Sequence, residues 1–578
     1  MEINRRRVLS LLTLCVVMVG CAQPNSPTTP SAGAPGAPSG SQSGAAQPTA
    51  RKQISVAIAG EPRTLSDTVN QANSGGVAGV SEVEALITAA TVYRHGESGE
   101  LLPMLAEQAP TLENGLWKLL PDGRMETIHK LRPNAQWHDG TPVTAEDLAF
   151  TAKVAQDPET PSFAHVGFRS VESVEVVDAR TAVVHWRRPY IEADLMFSER
   201  LGVPLPRHLL EQTYLEDRAN FTNAQYWTEK FVGTGPFKIR DYQSGSHMIV
   251  VANDQFVLGR PKLDEIEVRF IQDANALIAN LLSGRVDLTL GRRLSVEQGI
   301  QVAAQWREGQ MQVSGQNWIA LYPQFVNPNP AVVANLQFRR ALLHATDRQQ
   351  MVDILTNGLS GVAHSMISPS QPEYRGVESS IVQYAYDPRR AAQLIEGLGY
   401  TKGTDGLYVD SAGQKLTVEN RTTAGDDFRD KMLLSISDYW KRAGVDAETF
   451  IVPRQRADDR EFRATRPGFE LVRQPSDPSR YTSAEAPLPS NNFRGQNRTR
   501  YQSAELDMLI DRYYTTIPRE ERTQTLAQIV NHITDQVVMM GILINVEPMM
   551  VGNRLMNVNV AKPDGVRDSW NSWDWDVT

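Results

Sequence analysis

Cysteine is almost absent. Cys15 and Cys21 are the only two in 578 residues, and both fall at the extreme N-terminus. The chain beyond them has no disulfide and no thiol nucleophile, and a large exported body needs no disulfide to fold. No apolar run reaches the roughly 20 residues that a membrane-crossing helix takes. The stretch Val8 to Val19 comes nearest, and Ser10, Thr13 and Cys15 interrupt it. Positive charge is also short: 58 Lys and Arg stand against 67 Asp and Glu, for a net charge of −9. Glu2 and Arg5 to Arg7 carry +2 of that, so the chain past residue 20 stands at −11. Such a balance argues against nucleic acid and against polybasic attachment to anionic lipid.

Signatures of catalysis are missing as well. The ten histidines include no His-Glu-x-x-His, and His129 and His138 lie nine apart, a poor zinc spacing. There is no Gly-x-Ser-x-Gly elbow. Gly233-Thr234-Gly235 lacks the third glycine and the lysine of a phosphate loop. The adjacent carboxylates Asp426-Asp427 and Asp458-Asp459 read as loops or helix starts. No catalytic residue, metal site or cofactor is expected.

What is present begins with an export signal. Arg5, Arg6 and Arg7 precede the apolar run, whose length suits a signal-peptide core. The run ends in Met18-Val19-Gly20-Cys21, a small residue before a cysteine, as in lipoprotein signals. Residues 1–20 are read as the signal peptide and Cys21 as the lipidated first residue. More than one buried acyl chain gives a stable anchor at the outer face of the membrane. Asn4-Arg5-Arg6-Arg7-Val8-Leu9 also resembles a twin-arginine signal, so Sec and twin-arginine export both stay open. Residues 21–50 are nearly all Pro, Ser, Thr, Gly, Ala, Gln and Asn, a composition that cannot offset its ordering entropy. They are read as a flexible tether.

The body from Arg51 is long enough for two to four domains at about 150 residues each. Strand character marks Ile54–Ile58, Met125–Leu131, Ser173–Trp186 with a turn at Asp178-Ala179-Arg180, Asp264–Ile271 and Val286–Leu290. Helices are expected over 81–92, over Ala145–Val154 with Thr144 as N-cap, and over Asn275–Leu282, Asn335–Ala345 and Asp347–Thr356. Further helices are expected over Arg389–Leu398, Asp426–Ala443, Ala504–Tyr514 and Arg519–Gln536. Strands and helices mix without a strict repeat, which predicts a mixed α/β protein of several domains.

Six segments in order resemble the bacterial extracellular solute-binding proteins of family 5. They are the block Leu131 to Asp147, with Trp137-His138-Asp139-Gly140-Thr141-Pro142 at its centre, and the turn Val232-Gly233-Thr234-Gly235-Pro236-Phe237. Next come Leu263-Asp264-Glu265-Ile266 and Ser283-Gly284-Arg285-Val286-Asp287. Phe338-Arg339-Arg340-Ala341-Leu342 follows with Ala345-Thr346-Asp347-Arg348, and then Tyr386-Asp387-Pro388. Each block also has a plain physical role. Gly140, Gly233 and Gly235 suit positive φ or close backbone approach; Asp147 and Arg339 suit capping or ion pairing; Trp137 suits core packing. The blocks therefore identify the fold rather than the pocket.

The resemblance implies a periplasmic-binding-protein type II clamshell of three domains, with two lobes closing on ligand. Lobe I would comprise residues 51–81, 230–318 and 540–578. The extra domain would be 82–229, and lobe II 319–539. The implied function is the substrate-binding lipoprotein of an ABC importer. It would pass a small solute, peptide or peptide-like, to permease subunits and act as a monomer. Alternatives on the same fold are a sensor uncoupled from transport, a sugar binder and a metal-chelate binder. In peptide-binding members an aspartate holds the ligand's α-amino group, and the matching stretch here is Arg473-Gln474-Pro475-Ser476-Asp477-Pro478. Gln474 falls at the aspartate's place. Because a neutral amide is a poor partner for a buried ammonium, it predicts a ligand without a free α-amine. Arg473 suits an acceptor-rich ligand. Trp318 and Asn317 lie where the chain should cross between lobes, and Tyr93-Arg94 replace the family's Tyr-Glu pair. Asp477 keeps the end of the pattern. Trp570, Trp573 and Trp575 crowd the C-terminus.

Overall fold

The computed structural model describes residues 51–69, 79–95, 100–291, 294–457, 459–558 and 567–578. Its main sheet is built from Gln53–Ile58 (β1), Phe237–Gln243 (β2), His247–Ala252 (β3), Glu265–Phe270 (β4), Leu288–Thr289 (β5), Gly309–Pro323 (β6), Thr417–Thr423 (β7), Asp446–Val452 (β8), Phe469–Gln474 (β9) and Met540–Gly552 (β10). The order across the sheet is β8-β7-β9-β6-β10-β5-β1-β4-β3-β2. Its two halves bury separate cores. Ile54, Val56, Val250, Val268 and Leu288 pack together on one side. On the other, Val418, Ala447 and Leu471 pack against Phe338, Leu342, Ile436 and Trp440 of the helices Leu336–Ala345 and Asp427–Ala443.

Strands β6 and β10 belong to both halves. They pair from Gly309↔Gly552 to Gly315↔Val546, slip, and resume at Trp318↔Ile544. Pairing of β6 with β9 begins at Trp318, whereas β10 meets β5 at Val551. The irregularity therefore sits where the sheet passes from one lobe to the other, the place for a hinge. Asn317 lies in it with φ 58°, a left-handed conformation that Asn tolerates and a β-branched residue does not. Asn317→Ile is expected to cost about 1–2 kcal/mol in urea unfolding, and Asn317→Gly much less.

A smaller sheet, ordered Trp117–Leu119, Met125–Lys130, Thr181–Trp186, Val171–Asp178, carries the helix Ala145–Gln156. Here local sequence rules hold. Thr144 caps that helix in a capping box with Asp147, whose carboxylate accepts the Thr144 backbone N–H at 2.8 Å. Gly140 has φ +88°. Arg339 is buried and donates to the carbonyls of Val537 and Gln536, both at 2.9 Å.

The helix expected over 81–92 ends earlier, as Val80–Ile87. The turn around Gly233 to Gly235 stops it. Gly235 N–H donates to Ile87 O at 3.0 Å, and the Thr234 hydroxyl bonds Ala89 O at 2.8 Å. Val92–His95 then becomes a strand paired with Glu100–Pro103. A Cβ on Gly233 would lie 1.9 Å from Ile87 O. Gly233→Ala is expected to lose about 1–3 kcal/mol or to shift the turn, read as a lowered melting temperature. The sequence reading also passed over the β2–β3 hairpin and the lengths of β6 and β10. Among the described residues no helix is long and apolar enough to cross a membrane.

Candidate functional site

A cavity of about 510 Å³ lies among four walls. Ser66, Asp67 and Thr68 come from the loop after β1, and Ser81, Glu82 and Glu84 from the helix Val80–Ile87. Residues between 137 and 233 form a broad third wall, which includes Trp137, His165, Arg200 and Tyr226. Pro475, Asp477 and Arg480, just past β9, supply the fourth, and Arg567 joins from near the C-terminus. The part contributed by residues 137–233 exceeds what the sequence led us to expect, and Trp137, read there as core alone, reaches the wall.

Five carboxylates line the cavity (Asp67, Glu82, Glu84, Glu199, Asp477) against three guanidiniums (Arg200, Arg480, Arg567). Asp477 is well satisfied. One of its oxygens accepts from Ser479 N at 3.0 Å, Ser479 Oγ at 2.6 Å and Tyr514 OH at 2.8 Å, and Arg480 Nε lies 3.8 Å from the other. Burial alone would raise its pKa, but Arg200, the Ser479 bond, Arg480 and Tyr514 outweigh it and hold the carboxyl below its usual range. Arg200 in turn bonds Glu192 at 2.7 Å, which also accepts from Tyr190 OH at 3.0 Å. Tyr190 stacks on Tyr514 with centroids 6.0 Å apart, and Ile191 N–H donates to Tyr514 O at 3.0 Å. Arg188 pairs with Asp511. These contacts tie residues 188–200 to the lobe that carries β9.

The far end of the cavity is different. Glu84 meets Arg567 at 2.9 Å, both deeply buried. Glu82 accepts from Ser569 N at 2.8 Å and from Ser569 Oγ at 2.7 Å. Burial pushes both carboxyls up, against the opposing pull of Arg567 and Ser569. Back beside the Asp477 cluster, where it feels the charges of Glu192, Arg200 and Asp477, His165 accepts from Gly167 N–H at 3.1 Å, and burial drops its pKa to about 4, so the ring is neutral near pH 7.

Of the residues singled out from sequence, Asp477 lines this cavity. Gln474 is buried at the end of β9, and its Oε1 has no hydrogen-bond partner among the described residues. Arg473 is its strand neighbour, so it points to the opposite face. There it lies 3.1 Å from Asn545 Oδ1, 3.4 Å from Asp426 and 4.0 Å from Glu547. Asn317 and Trp318 border a separate cavity of about 60 Å³ beside Ala363 to Pro369. Tyr93 is buried, stacks on Trp570 and accepts the Arg567 N–H at 3.1 Å. Trp573 packs on Phe256 and Trp575 is fully buried. The Arg94 side chain and Cys21 lie outside the described residues.

Sequence reasoning missed Glu82, Glu84, Arg200 and Arg567. The helix pattern gave little sign of it: Val80, Val83, Leu86 and Ile87 fall on one face, and Glu82 and Glu84 flank that face on either side.

Two lobes joined by a crossing strand pair, with a polar cavity between them, define a clamshell binding protein. The model of "bacterial extracellular solute-binding proteins, family 5 Middle" matches residues 101–493, and the chain belongs to that family. The family is one of solute-binding proteins rather than enzymes. A Brucella ovis protein named for ABC-transporter peptide binding is 30% identical over 269 residues, which is 46% of this chain. The match spans 48% of that relative, about half its length. The oligopeptide binding protein of Thermus thermophilus, solved with a pentapeptide, superposes with a TM-score of 0.73 at 23% identity, over 91% of this chain and 96% of that one. NikZ of Campylobacter jejuni, solved with Ni(L-His), also gives 0.73, at 20% identity over 91% and 99%.

Proposed function

We propose that this protein captures a small solute, peptide or peptide-like, in the 510 Å³ cavity and hands it to the permease subunits of an ABC importer. The carrying observation is that cavity, polar and walled by both lobes, in a chain of family 5. Relatives named for peptide binding support the solute class. In this reading lobe I is 51–81, 230–318 and 540–578, the extra domain is 82–229, and lobe II is 319–539. Closure turns about the β6–β10 crossing. Export leaves Cys21 acylated, residues 21–50 act as tether, and the protein works as a monomer at the outer face of the membrane. Cys21→Ser is expected to move it from the membrane fraction to the soluble one; retention on the membrane would remove the lipid anchor from this account.

A thermal-shift series on residues 51–578 with short peptides tests the solute class. A bound ligand at 100 times its Kd adds about 2.7 kcal/mol of stability. The expected result is a saturable rise in melting temperature with at least one peptide pool. A flat response to peptides with a rise from oligosaccharides would replace the peptide reading.

A further inference from the structure

Resting on that reading, we propose that Arg473, Asn545 and Glu547 form a polar pin across the irregularity of the β6–β10 crossing, and that this pin sets the angle between the lobes. Register is the first ground. Gly315 pairs with Val546 and Trp318 with Ile544, so Gln316 and Asn317 of β6 stand opposite the single residue Asn545 of β10. That is the two-against-one count of a β-bulge, which bends the strand that carries it. Ile319 pairs with Arg473 on one side and with Leu543 on the other. Strand alternation then puts Asn545 and Glu547 on the face that Arg473 uses.

Hydrogen bonding is the second ground. Asn545 is only 1% exposed, yet both ends of its amide are engaged. Its Oδ1 accepts from Arg473 Nη2 at 3.1 Å, and its Nδ2 donates to Glu547 Oε1 at 2.8 Å. Arg473 Nε lies 4.0 Å from that same Glu547 oxygen. The two partners sit on opposite sides of the bulge. Arg473 is on β9, which meets β6 from Trp318 onward, whereas Glu547 pairs with Ser314 in the stretch that runs toward β5. Arg473 is also fixed to the body of its own lobe. Asp426, 3.4 Å from its guanidinium, caps the helix Asp427–Ala443. Rotation of one lobe against the other about the bulge changes the distances in this bridge, and bonds shielded from water resist that change more than surface ones. The bridge is complete without a solute, so it acts on the lobe angle of the ligand-free protein. Any shift it makes in the binding-competent population scales every apparent affinity by a common factor.

Double electron–electron resonance on ligand-free residues 51–578 tests this. Cys15 and Cys21 are the only cysteines of the chain and lie outside that span. Spin labels therefore attach only at Gln243→Cys on β2 and Glu448→Cys on β8, the two edge strands of the sheet. Glu547→Ala is expected to broaden the interlobe distance distribution. Arg473→Leu is expected to broaden it from the other end of the bridge, and there Asp426 keeps its bond to Arg429 at 2.9 Å. Glu547→Gln retains Oε1 and is expected to match the unsubstituted protein. Identical distributions in every protein, or equal broadening by Glu547→Ala and Glu547→Gln, would overturn the pin. Because no solute is added, either of those results would leave solute capture standing.

Discussion

Arg567→Met is expected to lower the stability of residues 51–578 by about 3–5 kcal/mol, because it leaves the Glu84 carboxylate buried without its counter-charge. Glu84 and Arg567 stand 2.9 Å apart, with side-chain exposures of 3% and 12%. The pair joins the helix Val80–Ile87 to the C-terminal segment, so the loss should appear as a lower midpoint in both urea and heat. Its pH dependence carries the sign. Burial already raises the Glu84 pKa, and removing the guanidinium raises it further. A carboxyl whose folded pKa is raised destabilises the fold above its unfolded pKa, near 4.3, and the penalty vanishes once both states are protonated. The deficit of Arg567→Met should therefore be full near pH 7 and shrink as the pH falls toward 4. An equal deficit across that range would point to lost packing rather than an unpaired charge.

Asp477→Ala is expected to weaken apparent solute affinity by roughly 10- to 100-fold, because the charged hydrogen bond that seats Tyr514, worth about 1.5–3 kcal/mol, is lost. Asp477 stands on the lobe that carries β9 and anchors Tyr514 at 2.8 Å. Tyr514 in turn stacks on Tyr190 and accepts from Ile191 N–H, which joins the β9 side of the molecule to residues 190–191. Loosening that contact lowers the population of the closed form, and apparent affinity falls with it. Small-angle scattering should show a larger radius of gyration for the ligand-free variant. Unchanged scattering together with unchanged affinity would remove Asp477 from both closure and binding.

What was legible in the sequence was local. The capping of Ala145–Gln156 by Thr144 and Asp147 involves residues three apart, whereas the carbonyls that Arg339 holds lie 197 and 198 positions away. The tight packing at Gly233 and Gly235 announces itself because a side chain there has nowhere to go. The illegible parts depend on register and distance. Arg473 and Gln474 are neighbours in sequence, yet strand alternation sends them to opposite faces, and Asp426 waits on the Arg473 side. Arg567 meets Glu84 across 483 positions. No periodicity reports such a pair, so the acidic end of the cavity emerged from tertiary packing alone. Overextension of the helix past Ile87 has the same origin, since the turn that ends it arrives from residues 233–235.

The most direct test of the central claim is native mass spectrometry of residues 51–578 with a short-peptide pool, alongside Thr68→Trp, which places an indole in the cavity. The account predicts one bound solute per chain in the unsubstituted protein and none in Thr68→Trp, with both folded by circular dichroism. Equal occupancy in the two proteins, or no retained solute in either, would contradict it.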